Sequence, residues 1–115
     1  MSALTIDFLK HIKKELDFLT SNSAKISFED FANDDFISRA FIRSLEVIGE
    51  ACKKVPDDIR FRYAEFDWSG FAKFRDRLIH HYWGVDYELV WNAIQEEIPL
   101  AKVWIDLIIE REEAE

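Results

Sequence analysis

Residues 34–56 read DDFISRAFIRSLEVIGEACKKVP, and this stretch decides the fold class. Ile37, Phe41, Leu45, Ile48 and Cys52 recur at three- and four-residue intervals. That spacing lines one face of an α-helix, whereas a strand would alternate with period two. Asn33 or Asp34 can cap the start, and Pro56 limits the end. Gly49 lies inside the stripe, where glycine costs about 1 kcal/mol relative to alanine. A close crossing with another helix would account for it.

The same period extends in both directions. Upstream, Leu4, Phe8, Ile12, Leu16 and Leu19 form one amphipathic helix ending in Thr20-Ser21-Asn22-Ser23, and Ser27 to Asp30 can cap a short turn. Downstream, Pro56-Asp57-Asp58 opens a short helix through about Ala64. Asp67 or Ser69 starts another, with Phe71, Phe74, Leu78 and Ile79 inward and Gly84 expected to close it in the left-handed conformation. Asp86 caps the last helix, with Glu88 in its first turn. Tyr87, Val90, Ile94, Ile98, Ala101, Ile105 and Ile108 share one face, and Pro99 predicts a kink or break. Residues 110–115 are expected to fray. The prediction is an all-α fold, a compact bundle of about four main antiparallel helices plus a short one, forming a single domain over residues 1–115.

Composition agrees. The 115 residues are 49% apolar and 33% charged, enough for one core and too apolar for disorder. Three Gly and two Pro are too few breakers for a many-turned β fold. No apolar run approaches the roughly 20 residues of a membrane span, and the N-terminus lacks a secretory pattern. Cys52, the single cysteine, lies on the apolar stripe and reads as core rather than nucleophile. A cytoplasmic location is expected. The net charge of −8 disfavours non-specific nucleic-acid binding. Residues 53–82 nevertheless net +2, leaving −10 for the rest, so if an anionic ligand binds, this is the segment expected to take it.

That segment contains Arg75-Asp76-Arg77-Leu78-Ile79-His80-His81-Tyr82. Asp76 and His80 are four apart, so the carboxylate can orient the imidazole. Arg75 and His80 are five apart, about 140° around the helix, and can flank a cleft. Arginine suits phosphate, and histidine moves protons near neutrality. Together they suit metal-free phosphodiester cleavage with the ribose 2′-OH as nucleophile, hence RNA. On spacing alone, a charged helix end with His80 capping carbonyls fits as well. His80 and His81 point about 100° apart with no ligand cluster to complete a metal site. His11 reads as part of a solvated face. Trp91 and Trp104 read as packing, while Trp68 and Trp83 bracket the motif helix and are candidates to line a cleft.

Arg75, His80 and Tyr82 form the pattern R-x(4)-H-x-Y, which resembles the HepT family of HEPN-domain toxins. The resemblance covers roughly Asp35 to Trp91. It includes Ile42-Arg43-Ser44-Leu45-Glu46-Val47-Ile48-Gly49-Glu50-Ala51, Trp68, and Gly84-Val85-Asp86-Tyr87-Glu88-Leu89-Val90-Trp91. It implies a HEPN-type bundle that forms a homodimer, with two motif copies around one cleft. It implies a metal-independent endoribonuclease toxin of a type VII-like toxin–antitoxin system. The implied partner is an MntA-like minimal nucleotidyltransferase antitoxin that transfers AMP to the motif tyrosine. Carried over, Arg75 and His80 are catalytic, Asp76 supports them, and Tyr82 is the AMPylation site. His81, Arg77, Trp83, Glu46 and Glu50 are candidate cleft-lining residues, with a salt bridge inside the bundle as the alternative role for Glu46 and Glu50. No cofactor, metal, membrane or DNA is expected. The alternative is a non-catalytic HEPN module that binds the nucleotidyltransferase. The Arg75/His80 pair favours the enzyme, and the net charge supports the alternative.

Overall fold

The computed structural model describes residues 2–114. Among the described residues seven α-helices follow one another: α1 (Ala3–Ser23), α2 (Phe28–Asn33), α3 (Asp35–Lys54), α4 (Asp57–Arg62), α5 (Trp68–His80), α6 (Tyr87–Glu96) and α7 (Ile98–Glu113). A 3₁₀ turn, Tyr82–Gly84, joins α5 to α6. No strand occurs among the described residues.

Short polar side chains start most of these helices by accepting from otherwise unpaired backbone N–H groups. Asp34, rather than Asn33, accepts from Phe36 and Ile37. Asp67, rather than Ser69, accepts from Gly70. Asp86 accepts from Leu89. Ser27 and Asp30 form a reciprocal capping box, so the expected short turn becomes the full helix α2.

The stripes meet in one core. Leu9, Ile12, Leu16 and Leu19 of α1 pack with Phe41, Leu45, Ile48 and Cys52 of α3 and with Ile105 and Ile108 of α7. Each fully buried aliphatic side chain of this kind contributes about 1.5–3 kcal/mol. Phe31 of α2 stacks on Phe41 at 5.5 Å and meets Trp91 of α6 at the same distance, sealing one end. Burial pushes the Cys52 thiol pKa up, in keeping with a core role.

Helix α3 lies between α1 and α5. Gly49 marks its crossing with α5: a Cβ there would lie 2.6 Å from the Phe71 carbonyl oxygen and would also strike the Arg75 Cβ. The glycine thus exists for close approach.

Pro99 produces a break, not a kink. Helix α6 ends at Glu96, and the proline falls in the first turn of α7, where its missing N–H costs little.

Three expectations are corrected. Helix α5 ends at His80, and Gly84 lies in the 3₁₀ turn without a positive φ, so it is not a left-handed cap. Trp68 is buried, its indole N–H donating to the Tyr63 carbonyl at 3.0 Å, which makes it core rather than cleft lining. Helix α7 continues to Glu113 where fraying was expected. Glu112 is buried and accepts from the Tyr63 hydroxyl and from Arg62, each at 2.7 Å, which anchors the last turn. Residue 115 lies outside the described residues.

Candidate active site

Phe71 and Leu78 bury the inner face of α5 and hold its outer face in register. Arg75 emerges next to the Gly49 crossing. One terminal nitrogen pairs with Glu50 of α3 at 3.0 Å, and the other donates to Asp76, also at 3.0 Å. The Arg75 Nε is buried without a hydrogen-bond partner. The guanidinium is therefore clamped in orientation by two carboxylates.

Asp76 is held by Lys53 of α3 and by Arg75. Lys53 first, and then Arg75, keep its carboxyl pKa below the usual aspartate value. No hydrogen bond joins Asp76 to His80, although the four-residue spacing allowed one. Lys53 of α3 and the adjacent Arg75 of α5 hold the carboxylate instead.

Arg75 opens into a depression of about 190 Å³ between α1, α3 and α5, shared with His11, Arg43, Glu46, Glu50 and Lys54. Glu46 pairs with Arg43 at 3.4 Å. The structure thus brings Glu46 and Glu50 to Arg75. It also adds Lys53 and His11, which sequence reasoning did not connect to the motif. His11 is exposed as expected, yet it lines the same groove. Nothing local to residues 8–14 signals this, because α1 reaches the groove only through helix packing.

His80 is exposed on the last turn of α5. It does not line the Arg75 groove. The 140° between the two positions on one helix keeps them from converging. Beyond His80 the chain enters the 3₁₀ turn, where Tyr82 is 80% and Trp83 71% exposed. The Trp83 ring meets Tyr82 edge-on at 5.5 Å and lies 5.4 Å from His81. A second depression, of about 160 Å³, separates the end of α5 from the start of α6. Arg77, His81 and Asp86 line it together with Leu78, Val85 and Leu89. The motif residues therefore divide between two neighbouring hollows, with His80 and Tyr82 on the open surface.

Among the described residues, no group of three or more His, Cys, Asp and Glu side chains is placed to hold a metal ion. No helix among them is long and apolar enough to cross a membrane.

The profile of the HepT-like family, described as ribonuclease HepT-like, matches residues 12–108. A protein of Caldanaerobacter subterraneus subsp. tengcongensis named "Putative RNase TTE0752" is 43% identical over 105 residues, covering 91% of this chain and 94% of its own. "Probable ribonuclease HepT" of Thermococcus cleftensis is 40% identical over 96 residues, covering 84% of this chain and 87% of its own. No solved structure matches the chain. The family match takes in all of α3 and α5 and the R-x(4)-H-x-Y residues on and just past α5. The chain belongs to the ribonuclease HepT-like family.

Proposed function

We propose that this protein is a metal-independent endoribonuclease toxin, active as a two-fold dimer and controlled by AMPylation of Tyr82. The observation that carries the reading is the division of labour at the end of α5. Arg75 is a cation held in orientation by two carboxylates, suited to a phosphate, and His80 is an exposed imidazole, suited to moving a proton. One chain alone leaves them facing apart. A two-fold axis beside α5 would bring two of each around one RNA strand.

In the proposed reaction the ribose 2′-oxygen attacks the adjacent phosphorus, and a His80 imidazole takes the hydroxyl proton. The phosphorus–5′-oxygen bond breaks, and the His80 of the second copy returns a proton to the leaving 5′-oxygen. The products are a 2′,3′-cyclic phosphate and a free 5′-hydroxyl. Each Arg75 terminal nitrogen carries two N–H groups and meets one carboxylate, so donors remain for the phosphate oxygens.

Exposure of Tyr82 supports its role in control, because the hydroxyl is open to an enzyme. The implied partner is the MntA-like nucleotidyltransferase, which holds ATP and magnesium on its own side. The Tyr82 oxygen attacks the α-phosphorus and pyrophosphate leaves. The attached AMP adds an anion that competes for Arg75 and a purine that obstructs the strand.

The test combines three measurements. Purified protein should be dimeric by light scattering and should cleave RNA in EDTA. His80→Ala and Arg75→Ala should each remain folded and lose activity, about 10²- to 10⁴-fold for the proton carrier. Co-expression with the nucleotidyltransferase should add AMP mass to the Tyr82 peptide, and not in Tyr82→Phe. Cleavage that requires a divalent ion, or a fully active His80→Ala, would overturn the mechanism. The pairing of Arg75 with two carboxylates favours one second reading, a binding module without catalysis. A purified dimer that cleaves no RNA while binding the nucleotidyltransferase would establish that reading instead.

A further inference from the structure

We propose that the hollow between α5 and α6 is a subsite for one nucleotide of the RNA, with the base against the His81–Trp83 rings and its phosphate on Arg77. This rests on the ribonuclease reading above and adds how the strand is held.

Four observations converge. First, Trp83 is 71% exposed, an unusual position for the largest apolar side chain, and among the described residues the aromatic rings that meet it are those of its neighbours Tyr82 and His81. Nucleobases of single-stranded RNA stack on exposed aromatic faces of this kind.

Second, His81 lines the hollow and its ring lies 5.4 Å from the Trp83 ring, inclined at 52°, so Trp83 stands beside the mouth of the cavity. The hollow holds about 160 Å³. That is below the roughly 300 Å³ at which pockets take drug-sized ligands, and it suits a single ring system.

Third, its floor is apolar (Leu78, Val85 and Leu89) and its rim carries Arg77. The Arg77 side chain has no carboxylate partner among the described residues, in contrast to Arg75. Asp86, the one anion at the rim, is engaged as the α6 cap by the Leu89 N–H at 3.2 Å. The hollow thus offers an unpaired cation beside apolar side chains, and that cation belongs to the net-positive stretch 53–82 of an acidic chain.

Fourth, Gly84 lines the hollow, yet neither backbone nor packing calls for glycine there. Its φ is not positive, and a Cβ would meet nothing within 4 Å. A bare backbone at that point leaves the mouth open to a ligand.

The test is an abasic scan. Synthetic RNAs lacking one base at each position around the cleavage point are cleaved by the unsubstituted protein and by Trp83→Ala. Loss of one flanking base should raise KM for the unsubstituted protein roughly tenfold, within the range for base–aromatic stacking. Trp83→Ala should show a similar rise on intact RNA and no further rise when that base is removed. Gly84→Leu should raise KM while preserving the melting temperature. Arg77→Gln should reduce the slope of log affinity against log salt by about 0.7, as expected for one lost phosphate contact on a single strand.

An unchanged KM in Trp83→Ala, or penalties that multiply independently at every position, would overturn the subsite. So would conversion of Trp83→Ala to monomer, which would assign the ring to a protein contact. If the unsubstituted protein cleaves nothing, the ribonuclease reading fails, and anisotropy with labelled 2′-O-methyl RNA still decides the subsite: Trp83→Ala must weaken that binding by the same factor.

Discussion

Replacing Gly49 by alanine tests whether the α3–α5 crossing builds the site. On an isolated helix the change would stabilise by about 1 kcal/mol, since glycine has the poorer propensity. In the folded protein the new methyl would lie 2.6 Å from the Phe71 carbonyl oxygen and against the Arg75 Cβ. Ordinary contact begins near 3.5 Å, so the helices must part by roughly 1 Å. Neither obstructing atom can rotate away, because one is backbone and the other a Cβ. The upper part of the overpacking range, about 3 kcal/mol, therefore applies. Subtracting the propensity gain leaves a net loss of about 2 kcal/mol. For a domain of this size that lowers the melting temperature by about 8 °C, measurable by circular dichroism. The same shift displaces Arg75 from Glu50, and a misplacement near 1 Å can cost on the order of 100-fold in rate. Gly49→Ala should therefore melt earlier and cleave RNA far more slowly at temperatures where it is fully folded. A raised melting temperature with full activity would refute the reasoning, because it would mean that propensity outweighs the crossing.

Three further outcomes follow from the packing. Glu112→Ala should lose about 2 kcal/mol in urea unfolding, because the buried Tyr63 hydroxyl loses its acceptor; Glu112→Gln, which keeps an acceptor oxygen, should lose less. Asp76 titrates below its ordinary value through Lys53 and Arg75, so its folded pKa lies under its unfolded one. Its contribution is present above the unfolded pKa and disappears as pH falls through the folded pKa, so Asp76→Asn should flatten the acid limb of the stability curve below about pH 4. Cys52 is buried with its thiol pKa raised, so a disulfide reagent should label it only on unfolding; rapid labelling of the native protein would contradict the core placement.

The helices were legible in the sequence because their causes are local. A stripe such as Ile37, Phe41, Leu45 and Ile48 needs only its own period, and a cap such as Asp67 or Asp86 needs only the backbone N–H groups two or three residues ahead. Pro99 breaks the chain for an equally local reason, its missing N–H. The motif residues were legible as types at a spacing, and so was the placement of Cys52 in the core. The partners of those residues were not. Glu50 reaches Arg75, and Lys53 takes Asp76, because α3 crosses α5 at Gly49; His11 enters the same groove because α1 packs on α3. Glu112 is buried because Tyr63 awaits it from 49 residues away, so a charged tail that reads as frayed becomes an anchored last turn. Gly84 shows the converse: its type suggests a left-handed cap, but α5 has already ended at His80. Local propensity is set within one turn of helix. The meeting of side chains depends on the crossing angle and axial shift between helices, which the whole core determines together.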